Sequence, residues 1–279
     1  MNRSPRRWLA RLAAASAITV VATLTTSAPA HAGITHVLVL ETQLTLNPGT
    51  TGSATVTCPD TRKATGGGAL GFTPSVRMLS SRPNGRHAWT ITARNDNTVV
   101  ETVNVRALCA QGIPNADYLL AEGAVPIDPG QSAQAVAVCP TGWQSLGGGF
   151  VQTVGTVIPN ASDVSGTSAW RARAFNPGTT RATLTAMATC ARNLPTRPTP
   201  PSSTTIVAPG SQAFPTLACG ANQVLTGGGF VKTPENDANV VTASLPTDGN
   251  PDFWKWNYKN ASGSVTYGFT SRIICFPLG

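Results

Sequence analysis

A unit of about 80 residues occurs three times in this chain, and this repetition limits the fold more than any other feature. In each unit a Pro-Gly pair precedes a cysteine, a glycine triplet begins 8 residues after that cysteine, and a tryptophan, an asparagine and a second cysteine follow. The triplets are Gly66-Gly67-Gly68, Gly147-Gly148-Gly149 and Gly227-Gly228-Gly229, the tryptophans are Trp89, Trp170 and Trp254, and the asparagines are Asn95, Asn176 and Asn260. Since a fixed period indicates one structural unit used repeatedly, we expect three copies of one small fold.

The composition predicts that each copy consists of antiparallel β-strands. Gly, Pro and Thr are abundant, and no amphipathic helix is apparent after residue 33. The expected order within a unit is strand, Pro-Gly turn, strand, glycine turn, strand, variable loop, tryptophan strand, asparagine turn and last strand. The predicted segments are β repeats at 33–112, 113–192 and 206–279, with an exposed proline-rich linker at 193–205.

Residues 1–32 have the pattern of an export signal. Four arginines precede an apolar run from Leu12 to Leu24, and Ala30-His31-Ala32 forms a small-residue cleavage site. The segment around Arg6-Arg7 also resembles a twin-arginine signal, so either export route is open. No later apolar run approaches the ~20 residues that cross a bilayer. We therefore expect a secreted, extracellular protein with no transmembrane segment.

The net charge argues against nucleic acid as a specific partner. The signal segment holds four of the 20 basic residues and none of the 12 acidic ones, so the remaining chain is only mildly basic. Nucleic-acid binding requires clustered positive charge, whereas a mildly basic surface is compatible with anionic polymers.

Six cysteines, two in each repeat, predict three structural disulfides in an exported protein. Pairing within repeats joins Cys58 to Cys109, Cys139 to Cys190 and Cys219 to Cys275. Pairing between repeats would instead join Cys109 to Cys139, Cys190 to Cys219 and Cys58 to Cys275. The first scheme is preferred, because each duplicated unit would then carry its own crosslink.

No catalytic, metal or cofactor site is evident in the sequence. A phosphate-binding loop requires a lysine and a helix after its glycines, whereas Ala69, Phe150 and Phe230 follow these triplets. The glycines are therefore interpreted as structural, allowing a turn, a bulge or close contact between backbones. Acidic residues do not recur at aligned positions, Cys-x-x-Cys pairs are absent, and only His36 and His87 follow the signal. We expect a non-enzyme without cofactor or metal.

The tryptophan strand of each repeat has one apolar and one polar face. Alternation places Trp254, Trp256 and Tyr258 on one face, and their counterparts in the other repeats predict that this face is buried. The opposite face carries the candidate binding residues Arg94, Arg171, Arg173, Lys255 and Lys259. Arg82 and Arg86 are added as candidates because they, with Arg77 and His87, fall in the variable loop of repeat one. A solvated surface without a ligand is the alternative interpretation of this basic face.

The pattern of CPTGWQSLGGGF and its counterparts CPDTRKATGGG and CGANQVLTGGGF resembles that of uncharacterised secreted repeat proteins of actinomycetes. It is also distantly similar to the vitelline membrane outer layer proteins. That resemblance implies a pseudo-threefold β-prism with a lectin-like outline. Tandem small β-sandwiches remain the alternative arrangement for the three repeats.

We expect a lectin-like protein that binds a glycan or an anionic cell-wall polymer, with three weak sites acting together. An extracellular structural protein, or one that binds or inhibits another protein, is the alternative. A secreted hydrolase is the third possibility.

Overall fold

The computed structural model describes residues 33–73, 75–197, 199–233, 239–247 and 252–279. Repeat one forms six strands, β1 His36–Leu46, β2 Thr51–Thr57, β3 Arg62–Leu70, β4 Val76–Pro83, β5 Ala88–Asn95 and β6 Glu101–Gln111. After a 3₁₀ turn at Asn115–Asp117, repeat two forms β7 Tyr118–Ile127, β8 Ser132–Val138, β9 Gln144–Gln152, β10 Ile158–Ser165, β11 Ala169–Phe175 and β12 Ala182–Ala191. Repeat three forms β13 Ser202–Val207, β14 Gln212–Ala213, β15 Thr216–Ala218, β16 Gln223–Thr233, β17 Asn239–Pro246, β18 Phe253–Asn260 and β19 Tyr267–Pro277.

The strands form three antiparallel sheets, and each sheet takes strands from two repeats. Sheet I has the order β1-β6-β3-β17-β18-β14, with β15 also pairing β18. Sheet II has the order β2-β5-β4-β9-β12-β7, and sheet III has the order β13-β19-β16-β10-β11-β8. The all-β, antiparallel prediction is confirmed. In the described part of the chain, no helix is long and apolar enough to cross a membrane.

Every repeat contributes half of one sheet and half of the next. In repeat one, the half-sheet of β1, β3 and β6 packs against the half-sheet of β2, β4 and β5, and the apolar side chains between them form a small core. Each repeat is thus a two-layer sandwich. Its sheets extend into the neighbouring repeats, because β4 pairs with β9, β10 with β16, and β17 with β3. The three sandwiches are therefore joined in a closed ring with the three-sheet arrangement of a prism, rather than strung in tandem.

The three disulfides connect neighbouring sheets. Cys58 pairs with Cys109, Cys139 with Cys190 and Cys219 with Cys275, at Cα–Cα distances of 5.5, 5.7 and 5.7 Å. The preferred pairing within repeats is confirmed. Because the first cysteine of each repeat follows a strand of one sheet and the second lies on a strand of another, each crosslink joins the two layers of its sandwich.

The glycine triplets lie on β3, β9 and β16, where they allow close contacts in three directions. A Cβ atom on the first glycine would overlap backbone of a neighbouring repeat, as at Gly147, which lies against the Thr65 carbonyl. A Cβ on the second would overlap the tryptophan of the facing layer. A Cβ on the third would overlap the adjoining strand of another repeat, as at Gly68 against the Ser244 carbonyl. The structural interpretation of the triplets is confirmed, although the triplets lie within strands rather than in turns.

The tryptophan and asparagine of each repeat also have structural roles. Each indole Nε1 donates to a serine hydroxyl, Trp89 to Ser81 at 3.1 Å, and the same bond recurs in the other two repeats. Each asparagine is buried and donates through Nδ2 to two backbone carbonyls, those of Leu46 and Val99 in the case of Asn95. The glycines, tryptophan and asparagine that define the repeat therefore stabilise the fold.

Two sequence expectations differ from the structure. The sequence predicts variable loops where the strands β4, β10 and β17 lie, because the mixed polar sequences there lack a clear alternation. The predicted linker 193–205 includes the start of β13, which pairs with β19 as the first strand of repeat three. Its Arg197 is buried rather than exposed, and donates to the carbonyls of Ser145 and Gly166. Burial lowers the pKa of this Arg197 guanidinium to about 10.

Replacing a middle glycine should destabilise the protein through overpacking. A Cβ at Gly67 would lie 2.5 Å from the Trp89 indole and 2.6 Å from the Arg106 carbonyl oxygen. We expect Gly67→Ala to lower the free energy of unfolding by about 3 kcal/mol, the upper part of the range for overpacked cores. Gly263→Ala is the matched control, because nothing lies within 4 Å of the Cβ it would add. Equal thermal unfolding of the two variants would contradict the assigned contact.

Candidate functional site

The seven candidate binding residues lie on strands or turns of all three sheets. Arg94 is on β5 and Arg82 on β4 of sheet II, and Arg86 is in the turn that joins these strands. Arg171 and Arg173 are on β11 of sheet III, whereas Lys255 and Lys259 are on β18 of sheet I. The structure does not bring the basic residues of the tryptophan strands together on one surface. Arg82 belongs to a strand and not to the variable loop in which it was predicted.

The alternation predicted for the tryptophan strands is confirmed. Trp254, Trp256 and Tyr258 are 1%, 1% and 0% exposed, so they belong to the core and cannot stack on a ligand. Burial raises the pKa of the Tyr258 hydroxyl, and the hydrogen bond with Ser271 opposes that effect. The charged side chains on the other face of β18, Lys255 and Lys259, are half-buried.

In repeat two, the basic face is occupied by an internal ion-pair network. Asp163 on β10 is fully buried and accepts two bonds from Arg171, at 2.6 and 3.0 Å, and one from Arg272 at 2.7 Å. Burial raises the pKa of Asp163, and the two guanidinium groups oppose the shift. Arg171 thereby stabilises the junction of sheet III, which leaves less of its donor capacity for a ligand.

In repeat one, the equivalent face is largely neutral. Ser53 and Thr92 share a hydrogen bond of 2.8 Å across β2 and β5, and Thr55 and Thr90 share another of 2.8 Å. Arg94 at the end of β5 donates to Asp96 at 2.6 Å. The three repeats therefore present three different outer faces, rather than three copies of one site.

The outer face of β14, β15 and β18 combines aromatic and basic side chains, and we call it the Phe214 surface. Phe214 lies between the short strands β14 and β15 and is 69% exposed. On one side of it Gln212 pairs with Lys259, and on the other Thr216 pairs with Lys255. Phe214 therefore faces outward between two lysines, each roughly 7–8 Å away as a diagonal neighbour across the strand pair.

Lys255 and Lys259 are half-buried, and within the described ranges neither forms an ion pair. Phe253, 36% exposed, extends the same face beyond Lys255. Two phenylalanines thus lie along the surface, and the strand register places Lys255 between them. Next to Phe253 the surface continues into a cleft of about 410 Å³, whose wall includes His36 and the turn that follows Cys219.

Phe214 was missed by the sequence reasoning, although a signal exists. The aligned positions, four residues after the glycine of each Pro-Gly pair, are Ser53, Gln134 and Phe214. A single large apolar residue on an edge strand whose outer positions are otherwise polar indicates a side chain that the core does not need. Comparing the repeats position by position for departures from the shared pattern would have found it.

Comparison with known proteins adds no family assignment. No protein-family model matches the chain, and no curated protein is significantly similar to it. Inferences about function therefore depend on the residues and their geometry.

The Arg94 side chain belongs to a three-residue ion cluster that should be sensitive to acid. Asp96 accepts from Arg94 at 2.6 Å and from Arg77 at 2.8 Å. Burial alone would raise the pKa of Asp96, but the two guanidinium groups outweigh it and hold this pKa below the ordinary value of 3.8. A depressed carboxyl pKa stabilises the fold above the unfolded-state pKa, and that stability is lost as pH falls through the folded-state pKa.

We therefore expect Asp96→Asn to reduce the free energy of unfolding by about 1 kcal/mol or less at pH 6, since the groups are partly exposed. The difference from the wild type should shrink as pH falls below 3.8 through the depressed folded-state pKa, because the carboxyl of the wild type then becomes protonated as well. Asp128→Asn, which removes a more exposed pair with Arg181, is the control and should have a smaller effect. A difference that stays constant from pH 6 to pH 2 would contradict an electrostatic role for Asp96.

Proposed function

We propose that this chain is an exported, non-catalytic binding protein that recognises an anionic glycan or cell-envelope polymer through the Phe214 surface. The observation that carries the proposal is Phe214, which is 69% exposed and flanked by Lys255 and Lys259 of the adjoining strand. Phe214 and Phe253 expose apolar surface on one face beside basic side chains, and apolar surface rimmed by polar groups favours a role in binding.

The chemistry of the Phe214 surface fits a sugar polymer with negative charge. A phenyl ring can pack against the apolar face of a sugar ring, and an ammonium group can form charge-assisted hydrogen bonds with a carboxylate or a phosphate. Phe214 and Phe253 are separated along the strands by about four residues, or roughly 13 Å. This spacing suits successive residues of an extended polymer better than one compact ligand.

Support for export comes from the disulfides and from the pattern of residues 1–32, which lie outside the described residues. Disulfides persist in oxidising compartments, and here all six cysteines are paired. A protein that contacts a cell-envelope polymer would have to reach such a compartment.

The test measures binding of the purified protein to wall teichoic acid, polygalacturonate and neutral dextran by isothermal titration calorimetry. We expect binding to the two anionic polymers, weakening with salt because screening reduces the lysine contribution. Phe214→Ala should weaken binding about tenfold, and Lys255→Gln with Lys259→Gln should remove the preference for charge. Each change is on the surface, so thermal unfolding should shift little.

Two control variants match these changes in exposure and chemistry. Ile206→Ala removes a side chain 66% exposed on the edge strand β13 of sheet III, and Arg181→Gln removes a surface cation 64% exposed. Both should bind the polymers as the wild type does. If the controls weaken binding as much as Phe214→Ala, or if dextran binds as well as the anionic polymers, the proposed surface or its ligand class is wrong.

A further inference from the structure

A cavity of about 510 Å³ opens at the end of the molecule where β4, β10 and β17 begin. These strands are equivalent in the three repeats, and each contains a β-bulge near its start. Met78, Pro159 and Val241 stand immediately before the bulges, and all three line the cavity. Because equivalent residues of all three repeats surround it, the cavity lies on the pseudo-threefold axis.

The inner wall of the axial cavity is apolar. Phe72 and Phe230 are each 4% exposed and line it together with Val76 and Val157. Phe230 and Met78 also line a void of about 20 Å³ beside the middle glycines, so these two side chains form the floor of the axial cavity. Apolar walls of this kind favour a hydrocarbon part of a ligand over water.

One side of the axial cavity is charged. Arg77, Ile158 and Val240 occupy equivalent positions, one residue before Met78, Pro159 and Val241. Repeats two and three thus contribute aliphatic side chains where repeat one contributes a guanidinium group. Arg77 and Asp96 both line this rim, together with the buried Lys232. Arg94 also donates to Asp96, so the cluster of Arg77, Arg94 and Asp96 carries a net positive charge.

We infer that the axial cavity binds a small anionic amphiphile, with its hydrocarbon part between Phe72 and Phe230 and its acidic group at Arg77. The volume falls within the range of about 300–1,000 Å³ that is usual for small-molecule sites. An anion at the rim is attracted by the excess positive charge, whereas a cation is repelled by it. The inference is independent of polymer binding at the Phe214 surface, because the cavity and that surface use different residues.

The test uses dodecanoate as the anionic probe and dodecanol as its neutral counterpart, each below its aggregation limit. Binding is measured by displacement of 8-anilinonaphthalene-1-sulfonate fluorescence from the full chain. We expect dodecanoate to bind about tenfold more tightly than dodecanol, the effect of one charge-assisted contact. Arg77→Gln should remove that preference while leaving dodecanol binding unchanged.

A second variant tests the location. Ile158→Trp places a large side chain at the half-buried rim of the cavity and should reduce binding of both probes at least tenfold. Val138→Trp is the control, because Val138 is 61% exposed on β8 and does not line the cavity. Near-ultraviolet circular dichroism verifies that both variants are folded. Unchanged probe binding in Ile158→Trp, or equal affinity of the wild type for dodecanoate and dodecanol, would overturn the inference.

Discussion

Close contact of three backbones at the centre of the molecule is the constraint on which the remaining structure depends. The first glycines of β3, β9 and β16 approach one another so closely that a Cβ at any of them would meet the backbone of a neighbouring repeat. The residue before each triplet sits in a β-bulge. Two of these bulged residues offer carbonyls to a neighbour: Thr189 donates to Thr65 at 2.7 Å, and Thr226 donates to Leu146 at 2.7 Å. Glycine is the residue that permits this distance, because any side chain would hold the strands apart.

The parts of the fold that could be predicted from sequence are those set by local pattern within a repeat. Period-two alternation on β18 predicts the burial of Trp254 and Trp256, and duplication of the cysteine pair predicts its pairing. The ring closure depends on contacts that leave little trace in sequence. Each junction between repeats rests on two residue pairs, such as Ser80 with Val151 and Ser81 with Phe150. Neither a hydrophobic pattern nor a turn sequence indicates such a short, bulged contact, so the sequence of β4 predicts a loop.

The candidate site was predictable only in part, for a related reason. Lys255 and Lys259 follow from the alternation of β18, whereas their proximity to Phe214 depends on the register of the separate strands β14 and β15. Apart from the Pro-Gly turns, the residues that repeat in all three units build the fold, and most of them are buried. Side chains that can bind a ligand are therefore found at positions where the repeats differ, and the shared motif does not identify these positions.

Divergence between the repeats is clearest across the third glycine of each triplet. Since this glycine has no side chain, the residues on its two flanking strands come together. In sheet III they are Arg272 and Asp163, which form an ion pair of 2.7 Å. In sheet I, the aligned residues are Arg106 and Leu245. The residue across the glycine from Arg106 is therefore aliphatic.

Arg106 forms an ion pair with Glu41 on β1, at 2.5 Å, and donates a hydrogen bond to the Pro246 carbonyl, at 3.0 Å. In sheet II the aligned residues are Met187 and Arg82, which leaves that cation next to a thioether. A buried charge requires a partner, so Arg106 and Asp163 depend on opposite charges from neighbouring strands, whereas Arg82 is only half-buried and remains accessible to water. The backbone contact at the glycine has thus stayed constant while the charges beside it changed. One scaffold can therefore carry three chemically different faces, and among the described residues a basic, aromatic surface is found on sheet I.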